Sequence, residues 1–110
     1  MKLPPKKIIR KFFLIYELEG AQKGVDVLTE YYGVRRMKII LNGKKVRRGG
    51  EAHYSENKAF FTKKGLKKKT VLHELYHHLV YVSDLEMPES LEEKEANSFS
   101  RSSLKRCVLN

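Results

Sequence analysis

The sequence contains a single cysteine, Cys107, and no tryptophan among its 110 residues. One cysteine excludes an internal disulfide and any zinc cage that needs several thiolates. No apolar run approaches the roughly 20 residues of a membrane-spanning helix. The basic start is not expected to be a signal peptide, because Arg10 and Lys11 interrupt its apolar stretch and no small-residue cleavage site follows. We therefore expect a soluble cytoplasmic protein without a membrane partner.

Acidic residues are also in the minority. The chain has 23 Lys+Arg against 13 Asp+Glu, which gives a formal net charge of +10. Such a charge is compatible with a nucleic-acid partner, but the basic residues are spread along the chain and no nucleic-acid-binding motif is present. A composition rich in Lys, Glu, Ile and Tyr is equally typical of a thermophile surface with many ion pairs. Nucleic acid is therefore the less favoured partner.

The length and the periodicity predict one α+β domain spanning residues 1–110. Two N-terminal helices are expected at about 6–19 and 21–32, ended by Gly20 and Gly33. A small, mostly antiparallel sheet of about three strands should fill about 36–62, with turns at Asn42-Gly43 and Glu56-Asn57. Helix is expected again at about 66–82. The last helix should begin at a Ser90-Leu91-Glu92-Glu93 capping box and reach about residue 105.

The stretch His73-Glu74-Leu75-Tyr76-His77 fits the H-E-x-x-H pattern of helical zinc sites. On a helical wheel His77 lies one turn after His73 on the same face, with Glu74 beside them. The apolar positions of this helix cluster on nearly the opposite side, so the pair is not placed as core packing would require. The alternative to a metal site is that two surface histidines occur at this spacing by chance. The pattern favours a Zn²⁺ site with His73 and His77 as ligands.

A catalytic zinc ordinarily has three protein ligands and a water. His78 is turned away from the pair on the wheel, and His53 lies upstream on an expected strand. On a wheel of the last helix that starts at Leu91, Glu92 and Glu95 fall within the apolar sector, whereas Glu93 and Lys94 point elsewhere. A carboxylate facing a core is costly unless it is paired or binds a metal. The wheel leaves Glu92 and Glu95 as the two candidates for the third ligand.

These motifs resemble those of gluzincin metallopeptidases, which pair H-E-x-x-H on one helix with a glutamate on a following helix. The segment "EKEANSFSRSSL" is similar to the corresponding segment of ImmA/IrrE-type peptidases, and the compact layout most resembles the archaeal minigluzincins. The likeness covers about residues 36–105. It implies that Glu95 is the third zinc ligand, that Glu74 is the catalytic base and that a terminal segment keeps the enzyme latent. An aspartate that supports a zinc histidine in such enzymes is replaced here by Phe99.

The sequence thus predicts a zinc-dependent endopeptidase that acts on a peptide or protein, laid along the strand at His53–Thr62. Such enzymes also supply a Tyr or His that stabilises the oxyanion, and none follows Glu95. The stabiliser must then come from upstream, where Tyr81 is the candidate, from Arg101, or be absent. A packed aromatic is the alternative for Tyr81. Two alternatives stay open: a basic nucleic-acid-associated module, and an interaction protein on a catalytically degenerate peptidase scaffold. The sequence leaves open whether the chain is a monomer or a homo-oligomer.

Overall fold

The computed structural model describes residues 2–41 and 49–108, apart from the side chains of Tyr54, Cys107 and Val108. Within these ranges the fold is α+β, as predicted, with four helices and a small three-stranded sheet. The elements are α1 (Lys6–Glu19), α2 (Ala21–Tyr32), β1 (Lys38–Leu41), β2 (Gly50–His53), β3 (Lys58–Phe61), α3 (Lys68–Val82) and α4 (Glu89–Val108). None of the helices in this part of the chain has the length and apolarity needed to cross a membrane.

The helical predictions are confirmed most closely at the N-terminal end. Helices α1 and α2 have the predicted bounds, and α2 ends at Gly33, which adopts the left-handed conformation (φ 68°) that glycine tolerates at little cost. Helix α4 differs at its start. It begins at Glu89, and the main-chain N–H of Glu92 already bonds the carbonyl of Pro88. Ser90 therefore lies inside the first turn rather than at the predicted cap.

The sheet is mixed rather than mostly antiparallel, with the strand order β1-β3-β2. Strand β3 pairs antiparallel with β2, through a short turn at Tyr54–Glu56, and parallel with β1. The predicted turn near Glu56-Asn57 is present, and Asn57 has a positive φ of 53°. The other predicted turn, Asn42-Gly43, lies outside the described residues. Turn signals predict hairpins between strands that are neighbours in sequence. Strand β3 instead lies at the centre of the sheet, and its Ala59 and Phe61 side chains are fully buried there.

The core lies where α3 meets the other helices and the inner face of the sheet. Its apolar members are fully buried or nearly so and come from both ends of the chain. They include Ile9 and Phe12 of α1, Val25 and Leu28 of α2, Ala59 and Phe61 of β3, Val71, Leu72, Leu75 and Leu79 of α3, and Ala96 and Phe99 of α4. Helix α3 is thus the central helix, and most of its residues from Leu75 to Val80 are fixed by packing.

The outer edge of β1 is covered by a side chain of α2. The Gln22 amide N–H donates to the carbonyl of Met37 at 3.0 Å, and its carbonyl oxygen accepts from the N–H of Ile39 at 2.8 Å. The amide therefore bonds two main-chain groups much as a neighbouring strand would. This arrangement satisfies an edge that would otherwise be open to further strand pairing.

We expect the replacement of Gln22 by leucine to lower the free energy of unfolding by about 1–3 kcal/mol, because two main-chain groups lose their partners. Urea denaturation of wild type and variant measures the change. Lys23→Leu is the matched control, since Lys23 is the exposed neighbour on the same helix. Equal losses in the two variants would mean that the amide contributes nothing specific.

Candidate metal centre

Helix α3 presents His73 and His77 one turn apart on one side. Their Nε2 atoms lie 3.3 Å from each other, and the ring centroids are 5.0 Å apart. The side chain of His77 is only 5 % exposed and that of His73 is 16 % exposed. Both rings are therefore held by their surroundings, with their Nε2 atoms close together at the surface of the helix. The predicted convergence of the two imidazoles is present.

The carboxylate that joins them belongs to Glu93 of α4. Its Oε1 is 2.8 Å from His77 Nε2, and its Oε2 is 3.3 Å from His73 Nε2. Among the described residues these three side chains form the group whose ligand atoms all lie within 4.8 Å of one another. Burial raises the pKa of Glu93, but the two histidines outweigh this and hold the pKa below its usual range. The group is close enough to bind a metal ion.

The structure brings Glu93, and not Glu95, to the histidines. Glu95 is exposed and lies on the side of Tyr76, whose pKa is raised by burial and further by the charges of Glu95 and Glu92. The helical wheel treated Leu91 as buried and so set Glu93 aside, whereas Leu91 is exposed. The wheel left Glu92 and Glu95 as candidates, and the resemblance selected Glu95. The buried stripe of α4 comprises Ala96, Phe99, Ser100 and Ser103. Two of its members are serines, so hydrophobicity alone misplaces the stripe by part of a turn.

Glu92 also faces the histidines, from the other side of the same ring. Its Oε2 lies 2.5 Å from His77 Nδ1, and its side chain is 19 % exposed. The helical wheel placed Glu92 in the apolar sector as a candidate ligand, and the structure pairs it with Nδ1 of His77 rather than with the nitrogen that faces His73. Consecutive glutamates of α4 therefore contact the two different nitrogens of one imidazole.

Glu74 lies between the histidine pair and the edge of β2. The main-chain N–H of Ala52 hydrogen-bonds its carboxylate, and His73, His77 and Glu93 are near enough to influence its charge. Burial is the largest influence and raises the pKa of Glu74. The histidines and the Ala52 hydrogen bond act in the opposite direction, and Glu93 adds to the rise. The carboxylate predicted to be the base is thus beside the metal-binding group and partly shielded from water.

The other predicted or considered residues lie elsewhere. His78 is buried in the core, its Nε2–H donates to the carbonyl of Arg35 at 2.7 Å, and burial lowers its pKa despite that bond. His53 is exposed and contacts Glu51 at 3.2 Å. Tyr81 is half exposed and lines a groove with Arg35 and Asp84 near the C-terminal end of α3. Its role at an oxyanion stays a prediction.

Comparison of the chain with protein-family models, curated proteins and solved structures finds no match. The function of the chain is therefore argued from its own residues.

Replacing Glu93 by alanine should weaken binding of Zn²⁺ by at least about 100-fold, because the loss of a ligand should exceed the roughly 10- to 100-fold effect of losing an outer hydrogen-bond partner. Glu95→Ala should bind as wild type does. Competition with a chromophoric chelator measures both dissociation constants. The reverse pattern, with zinc lost only in Glu95→Ala, would restore the assignment drawn from the sequence.

Proposed function

We propose that the chain is a zinc-dependent endopeptidase. The observation that carries the proposal is the convergence of His73, His77 and Glu93 beside Glu74 and the edge of β2. A metal-binding group of two imidazoles and one carboxylate, with a further acid and a strand edge next to it, contains the parts that hydrolysis of a peptide bond needs.

The spacing of the two imidazole nitrogens is compatible with zinc. Ligands placed tetrahedrally at about 2.0–2.1 Å from a zinc ion lie about 3.3–3.4 Å from one another. The two Nε2 atoms are 3.3 Å apart and fit this spacing. Oε2 of Glu93 lies 3.3 Å from His73 Nε2, whereas its Oε1 lies 2.8 Å from His77 Nε2, which is closer than two zinc ligands would be. Three protein ligands would leave a fourth position for water, which is the arrangement of catalytic rather than structural zinc sites.

The chemistry of the chain would centre on Glu74. When bound, zinc supplies a Lewis acid that lowers the pKa of a water and polarises a carbonyl. Glu74 takes a proton from the water as its oxygen forms the new bond to the carbonyl carbon. The protonated side chain of Glu74 then passes this proton to the amide nitrogen of the substrate as the C–N bond breaks. The partly buried position of Glu74 beside the two histidines supports this assignment.

Strand β2 is an edge strand of the described sheet, which supports a peptide as the substrate. The carbonyl of Gly49 accepts from the N–H of Thr62, so the alternation of an antiparallel pair turns the main chain of Glu51 towards β3 and that of Gly50 and Ala52 away from it. The Ala52 N–H bonds the Glu74 carboxylate, so a peptide that added to this edge by main-chain hydrogen bonds would lie beside Glu74. The proposed track moves from His53–Thr62 to β2, because β3 is the central strand of the described sheet and β2 is its edge strand on this side.

Latency through a terminal segment stays a prediction. Near the N-terminus, the carbonyl of Lys2 accepts from the Tyr32 hydroxyl and the carbonyl of Pro4 accepts from Arg106. These contacts hold the described N-terminal residues against α2 and α4. The Arg106 contact ties the C-terminal part of α4 to the N-terminus as well, so both terminal segments stay candidates for the one whose removal would release activity.

We expect Glu74→Gln to lower cleavage of a quenched fluorescent peptide library by about 10²- to 10⁴-fold, the usual contribution of a general acid–base. Zinc content, measured by elemental analysis, should stay unchanged because Glu74 is not a ligand. Glu30→Gln, an exposed position on α2, is the matched control.

Cleavage that survives the loss of Glu74 would contradict its role as the base. Zinc uptake without cleavage, by both the full chain and a form ending at Arg106, would favour the degenerate scaffold instead. Salt-dependent nucleic-acid binding that persists after both histidines are replaced would favour the basic module.

A further inference from the structure

His77 is enclosed by carboxylates at both of its nitrogens. Nε2 lies 2.8 Å from Glu93, within the group already described, whereas Nδ1 lies 2.5 Å from Oε2 of Glu92. The two carboxylates differ in environment. The side chain of Glu92 is 19 % exposed and that of Glu93 is 42 % exposed, so the contact at Nδ1 is the better shielded from water.

The chemistry of the Nδ1 contact determines which nitrogen carries the proton. An ionised carboxylate can only accept a hydrogen bond, so Nδ1 must be the donor. Nε2 faces the other carboxylate, Oε1 of Glu93 at 2.8 Å, so without a metal ion Nε2 also meets an acceptor and can carry a proton. A metal ion bound between His73 Nε2 and Glu93 would take the place of that proton, whereas Nδ1 would keep its own proton for Glu92. Glu92 therefore favours the tautomer that makes His77 a ligand.

The burial of Glu92 points to the same role. A carboxylate removed from water is costly unless it is hydrogen-bonded, and the Glu92 side chain is only 19 % exposed. The bond to His77 Nδ1 offsets that cost.

We propose that Glu92 is a positioning residue for His77: its carboxylate holds the imidazole in the Nδ1–H tautomer and in the orientation that directs Nε2 to the metal. The proposal rests on the proposed metal-binding role of His73, His77 and Glu93. It assigns the two adjacent acids of α4 different tasks, since Glu93 joins the ligand group and Glu92 orients one of its members. Its effect on catalysis would be indirect.

The tautomer can be read by long-range ¹H–¹⁵N correlation of the histidine side chains in metal-free Glu93→Ala protein, which lacks the carboxylate at Nε2, at a pH well above the usual imidazole pKa of about 6.5. We expect the Nδ1–H form of His77 in this protein when Glu92 is intact. Adding Glu92→Gln keeps an accepting oxygen and should keep this form, whereas adding Glu92→Leu removes the acceptor and should yield a mixture or the Nε2–H form. An Nε2–H tautomer in the Glu93→Ala protein would overturn the proposal.

The second readout is the affinity for Zn²⁺, measured by chelator competition. We expect Glu92→Leu to weaken it by about 10- to 100-fold, the usual effect of removing a hydrogen-bond partner of a metal-binding histidine, and Glu92→Gln to weaken it less. Glu89→Leu is the matched control, because Glu89 is an exposed acid in the same first turn. Glu92→Leu with an unchanged tautomer in the Glu93→Ala protein and an affinity within twofold of wild type would also overturn the proposal.

These readouts separate the role of Glu92 from the proposed peptidase activity. An absence of peptide cleavage, with the expected tautomers and zinc affinities, would count against the enzyme and support the positioning role. Cleavage and tight zinc binding that are indifferent to Glu92→Leu would support the enzyme and overturn the positioning role. Urea denaturation of each variant shows whether a weaker affinity arises from loss of fold instead.

Discussion

The packing of α3 on α4 is the interaction on which the candidate site depends. The histidines come from one helix and both acids from the other, so no ligand group exists unless the helices meet in one register. Tyr76 and Phe99 pack ring against ring, and the Ser100 hydroxyl donates to the carbonyl of Lys69 at 2.8 Å. Ala96 and Ser103 are fully buried in the same stripe. Small side chains and one specific hydrogen bond thus fix the spacing that the site requires.

The placement of the acids also suits the electrostatics of the site. Glu92 and Glu93 lie near the N-terminus of α4, where the free N–H groups and the helix dipole favour negative charge. Carboxylates facing a partly buried group of histidines would otherwise repel each other and Glu74. The helix start, the imidazoles and the Ala52 N–H together reduce that repulsion. The arrangement keeps several acids close to one point in a protein that is strongly basic as a whole.

Periodicity predicted the parts of this structure that depend on a single element. The bounds of α1 and α2, the adjacency of His73 and His77 and the orientation of His78 away from them all follow from the geometry of one helix. The prediction failed where two elements must be placed against each other. Glu93 faces the histidines because serines occupy the buried stripe of α4, a pattern that an apolar count does not detect. The parallel pairing of β1 with β3 is a non-local choice that no turn signal contains.

The two edges of the sheet are treated differently, and the difference bears on the site. The Gln22 amide bonds the edge of β1, whereas β2 packs against α3, with the Ala52 N–H bonded to the Glu74 carboxylate. Gly50 makes this approach possible, since a Cβ there would lie 2.8 Å from the Phe61 ring and 2.9 Å from the Thr70 methyl group. A larger residue would force β2 away from α3 and lengthen the contact between Ala52 and Glu74. The absence of a side chain at Gly50 therefore keeps β2, the strand that would hold a peptide, close to α3, the helix that carries Glu74.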